Sequence, residues 1–104
     1  MIAQLDLVAV LPGAGRRPVR LWVGAPTREP GGEWSCPAGL DGLHDELAPM
    51  RGDDSLQAIC LALGLCAHLL RAHLGSGGRL EYPDGEEFAL EAYFGWLGAP
   101  SPSP

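Results

Sequence analysis

The residues able to do chemistry in this chain fall into a few groups. Cys36, His44 and Asp45 stand close together in sequence and supply a thiol, an imidazole and a carboxylate. That is the inventory of a thiol nucleophile with its base and orienting acid, and it defines one reading: a small thiol-dependent hydrolase using Cys36 and His44. Activation would need the thiol beside a histidine or a helix N-terminus. Cys36 alternates with Trp34 on one side of a short extended run, however, and His44 sits in an acidic loop. The plainer expectation is a core thiol and a solvated imidazole.

The segment Gly52–Gly78 holds Cys60, Cys66, His68 and His73. On a helix, residues six apart point about 120° from one another and lie about 9 Å apart along the axis, so Cys60 and Cys66 do not chelate one ion. Cys66 and His73 share a side but are separated by two turns, about 10 Å, against metal–ligand bonds of about 2.0–2.3 Å. His68 and His73 diverge as well. The expectation is inert cysteines, no metal and no cofactor, since free Cys behaves as a small hydrophobe. Asp84, Glu86, Glu87 and Glu91 lack the alternating oxygen ligands and central glycine of a calcium loop, and read as a solvated face. Gly13 and Gly15 lack the lysine and hydroxyl of a phosphate loop. Trp22, Trp34 and Trp96 suggest a further alternative, a small-molecule pocket lined by tryptophans.

The same segment is the clearest structural signal. At 100° per residue, Leu56, Ile59, Cys60, Leu63, Cys66, Ala67, Leu70 and Leu74 fall in a sector of about 120°, which predicts a buried side. Leu61, Leu65 and Leu69, with Ala58, Ala62 and Ala72, occupy the opposite side. A helix apolar nearly all round needs a second cover, either the rest of the chain or another copy. Leu61, Leu65 and Leu69 are therefore the expected interface of a homodimer or of a protein partner.

These groups must be positioned by one modest core, which is what 104 residues at 46% hydrophobic and 19% charged can build. A net charge of −6 and a pI of about 4.8 disfavour nucleic acid, because the seven arginines do not gather beyond Arg16, Arg17 and Arg20. An odd number of cysteines without paired spacing points to reduced thiols in the cytoplasm. "MIAQLDLVAV" lacks a basic region and carries Asp6, so it fails as a signal peptide. The apolar run from Leu56 to Leu70 is shorter than the roughly 20 residues of a membrane span.

Alternation predicts strands from Leu5 to Leu11 and over Val19–Val23, joined through the turn "PGAGRRP", and a short third strand at Glu33–Cys36 that Pro37 ends. Residues 39–53 read as a loop or a helical turn. Asp53, Asp54 and Ser55 offer capping oxygens for a helix from Asp54 to Leu74, with Gly75 as its left-handed cap. A fourth strand follows near Leu80. Residues 86–97 suit a short helix and also a strand. The fold class is thus α+β, an antiparallel meander of three to four strands packed against one long central helix, with a short C-terminal helix. One domain covers residues 1–98, and 99–104 form a Pro/Ser tail too poor in apolar mass to order itself.

Three pieces in order, "VGAP", "WSCPAGLDGL" and "DDSLQAICLALGL", make the stretch from Val19 to Leu80 resemble a small bacterial domain family of unknown function. Its members show a Trp-x-Cys segment followed by an apolar helix opening Asp-Ser-Leu-Gln-Ala. Here Ile59 replaces the usual leucine after Ala58. The resemblance implies a β-meander with one long helix and implies no activity. The expected function is a non-enzymatic cytoplasmic interaction domain that self-associates, in an immunity or accessory role, presenting acidic loops to a protein partner.

Overall fold

A computed structural model describes residues 1–95. β1 (Ala3–Leu11) and β2 (Gly15–Val23) form a hairpin paired along its whole length, from Ala3↔Val23 to Leu11↔Gly15. The turn closes through the Ala14 amide, which donates to the Leu11 carbonyl at 3.2 Å. Gly13 and Gly15 flank it at φ 68° and 82°, the left-handed region that glycine enters without steric penalty. β3 (Thr27–Arg28) and β4 (Trp34–Cys36) follow as a second hairpin, then β5 (Ala38–Asp41) and β6 (Met50–Gly52). The long helix α1 covers Ser55–Gly75, β7 covers Arg79–Glu81 and a short helix α2 covers Leu90–Phe94.

The strands do not make one meander. They divide into a four-stranded antiparallel sheet in the order β5-β2-β1-β7 and a three-stranded one in the order β3-β4-β6. The chain changes sheet at Pro37, which has no N–H with which to continue the β4 ladder. The crossing is tight: the Gly24 amide donates to the Pro37 carbonyl at 2.8 Å, and a Cβ on Gly24 would come within 2.7 Å of the proline ring. The sequence pattern anticipated β1, β2, β4 and β7. It read residues 39–53, which hold most of β5 and all of β6, as a loop or a helical turn, because each strand is only three or four residues long and sits among glycines and acids.

α1 packs against both sheets. Leu7 and Ala9 from β1, Val19, Leu21 and Val23 from β2, Leu40 from β5 and Leu80 from β7 meet Ala62, Cys66 and Leu70 of the helix in one core. Phe88, Leu90 and Phe94 close its far end. Trp96 and the terminal segment 99–104 lie outside the described residues.

Candidate functional site

Asp54 caps α1: its Oδ1 accepts from the Gln57 amide at 2.7 Å, while Gln57 Oε1 accepts from the Asp53 amide at 2.6 Å. One of the donors that a helix start leaves unpaired, the Gln57 amide, is thus satisfied, and the return bond ties down the residue before the cap. At the other end Gly75 is still helical, and Gly77, at φ 95°, is the residue that turns left-handed, two positions later than expected. The last turn is held by His73. Its Nε2 lies 3.0 Å from the Arg79 carbonyl, which can only accept, so Nε2 carries the proton. The ring fills the space beside Gly78, where a Cβ would lie 2.2 Å from it. His73 is therefore a fastener between α1 and β7.

The buried side of α1 overlaps the side that the leucine pattern predicts only in part: Cys66, Ala67 and Leu70 are buried as expected, and Ile59 and Leu63 pack partly onto the core. The buried side consists of Ala58, Ala62, Cys66, Ala67, Leu70 and His73. Ala58 and Ala62, expected on the second side, are buried completely. Leu56 and Leu74, expected inside, are 69% and 39% exposed, and Leu61 is also 39% exposed. At the start of the helix the cause is the close approach of β6, whose Gly52 lies against the Ala58 backbone and leaves room there only for a small side chain. Of the expected interface residues, Leu61 is exposed, Leu65 is half-buried, and Leu69 packs partly onto the core. By length and composition α1, 21 residues long with a mean hydropathy of 1.5 over an 18-residue stretch, is long and apolar enough to cross a membrane, which the shorter run counted from sequence did not suggest. In this fold its inner side is committed to the two sheets.

The thiol constellation is not assembled. Cys36 is wholly buried and its Sγ donates to the Gly24 carbonyl at 3.4 Å. His44 and Asp45 are exposed, and among the described residues no hydrogen bond joins either side chain to Cys36. Burial raises the Cys36 pKa, the opposite of what a nucleophilic thiol requires. Burial, with the neighbouring Cys36, pushes Cys66 up to about 11. Cys36, Cys60 and Cys66 are all free thiols. Among the described residues no group of three or more His, Cys, Asp or Glu is placed to hold a metal ion.

An apolar hollow of about 210 Å³ opens between the β1–β2 end of the larger sheet and the helices, beside Leu5, Val23, Leu63 and Phe94. Trp22 lines it, whereas Trp34 lies in the smaller sheet, packed against the core, so these two tryptophans do not share one pocket. The Trp22 indole occupies the place of a side chain on Gly39 and donates to Asp41 at 3.2 Å. Of the acidic cluster, Glu91 pairs with Arg71 at 3.2 Å, and Asp84 accepts from the Glu86 amide at 2.9 Å. Sequence reasoning missed this hollow because its walls come from both ends of the chain, with only weak local patterning in α2.

These features define an α+β domain of two antiparallel sheets gathered on one long helix. The chain belongs to DUF6968, a domain family of unknown function, whose family model matches residues 7–92. No curated protein and no solved structure matches it.

Proposed function

We propose that this domain is a non-enzymatic protein-interaction module of the cytoplasm that self-associates through the outer side of α1. The observation that carries this reading is the pair Leu61 and Leu65, one helical turn apart and neither packed into the core. Leu61 is exposed and Leu65 is only half-buried after the helix has made its internal contacts. A leucine removed from water contributes about 1.5–3 kcal/mol, so the two copies of this pair favour association by several kcal/mol before entropic costs. The buried Cys36, with its proton held on a carbonyl, supports the non-enzymatic part. The unpaired thiols suit a reducing compartment. An accessory or immunity-type role beside another gene product fits such a module.

Sedimentation velocity over a micromolar concentration series tests the proposal. The expected result is a concentration-dependent dimer that Leu61→Glu or Leu65→Glu converts to a folded monomer. A strict monomer at high micromolar concentration, with Leu65→Glu leaving stability unchanged, would overturn it.

A further inference from the structure

β7 covers only part of the second edge of β1. It pairs with Val8–Val10, and along Ala3–Leu7 no strand pairs with that edge among the described residues. The cause is local. Pro83, just beyond β7, has no N–H to extend a ladder and borders a surface hollow together with Asp6, Leu7 and Val8. The chain turns back there, with the Tyr82 amide donating to the Glu86 carbonyl at 2.7 Å and Glu81 bridging to Glu87. Ala3, Gln4 and Asp6 are left exposed.

Two features adjoin this edge. On its inner side is the apolar hollow, bordered by Ala3, Gln4 and Leu5 of β1 and by Leu63, Tyr93 and Phe94. Alternate residues of a strand face one side of a sheet, so a strand added here would direct every second side chain toward the hollow. Along its rim is the Pro83 turn with Asp84, Glu86 and Glu87, all exposed and none in an ion pair among the described residues.

We propose that the Ala3–Leu7 edge of β1 docks an extended peptide from another protein as an added strand, carrying a bulky apolar residue for the hollow and flanking Lys or Arg for the acidic turn. Charge selects this occupant over a second copy of the chain. Residues 1–11 hold no basic side chain, and their one charge, Asp6, is paired with Arg20 at 2.9 Å, so a second β1 would bring the acidic rim no cation of its own. The inference rests on the interaction-domain reading but not on association through α1, whose outer leucines form a different surface.

The test uses a capped synthetic peptide, Lys-Val-Lys-Leu-Lys-Val-Lys, titrated calorimetrically into the full chain and into the Leu61→Glu variant, with amide hydrogen exchange followed by NMR. The expected result is saturable binding to both proteins, with added protection at Ala3–Leu7. Replacing the lysines by glutamate, or N-methylating alternate peptide amides, should weaken binding by about tenfold or more. Equal affinity for the Lys and Glu peptides, protection elsewhere than Ala3–Leu7, or no binding at all would overturn the proposal. So would binding that appears only after residues 96–104 are deleted, since the chain's own end would then be the occupant. Failure of this test leaves the sedimentation result on α1 standing, so the two readings can fail separately.

Discussion

Gly52 lies directly against the first turn of α1: a methyl group added to it would approach the Ala58 nitrogen to 2.7 Å. This contact between the end of β6 and the helix backbone explains why alanines face inward at that end. Gly52→Ala should therefore destabilise the fold by about 1–3 kcal/mol through overpacking. Gly64 is the contrast, because a Cβ there meets nothing within 4 Å. Gly64→Ala should stabilise by about 0.5–1 kcal/mol, since alanine loses less backbone entropy in a helix. Urea unfolding of both variants reads these opposite signs, and a neutral Gly52→Ala would contradict the described packing.

Asp54 and Gln57 cap each other's neighbourhood at the start of α1. Asp54→Ala should cost about 1 kcal/mol, with Asp54→Asn retaining most of the stability because its side-chain oxygen still accepts. Denaturation midpoints at neutral pH compare the two, and equal loss in both variants would point to charge rather than capping.

The Cys66 thiol gives stability a dependence on alkaline pH. Its folded pKa of about 11 lies above the ordinary value of 9.0 because burial, and then Cys36, disfavours the thiolate. Between those values the unfolded chain has lost the proton that the folded one retains. The contribution is full below pH 9 and is lost as pH rises toward 11. A shift of this size corresponds to about 3 kcal/mol. Unfolding free energies measured across that range should fall, and Cys66→Ala should flatten the fall.

Thiol reactivity should follow burial. Cys60 is half-buried while Cys36 and Cys66 are wholly enclosed. A disulfide reagent such as Ellman's should modify Cys60 first and reach the other two only through opening of the fold. Mass spectrometry of the partly modified protein identifies the site. Early modification of Cys36 would revive the thiol-nucleophile reading.

Much of the fold was legible in short stretches of sequence. Val19, Leu21 and Val23 announce their strand by strict alternation, and all three are buried as that pattern requires. Asp54 announces its helix by its oxygen and by the apolar run behind it. Less legible were β3, β5 and β6, where strands of two to four residues are too short for alternation to emerge from glycine, proline and acids. The outer surfaces divided in the same way. The apolar Leu61 stood out from spacing alone, but the unpaired stretch of β1 could be recognised only once β7 was seen to end at Glu81, short of Pro83.

By itself, then, the sequence determined that a hairpin would form at Gly13–Gly15, that a long helix would begin at Asp54, and that the helix would carry more apolar surface than one side can bury. These are outcomes of local chemistry, namely backbone freedom, capping oxygens and side-chain polarity. Tertiary structure alone decided which side of the helix turned inward. With leucines nearly all round, its periodicity only weakly fixes a phase, and the choice fell to the close approach of neighbouring backbone, Gly52 against the Ala58 backbone and Gly78 against the His73 ring, with Leu70 the one leucine of the helix buried completely.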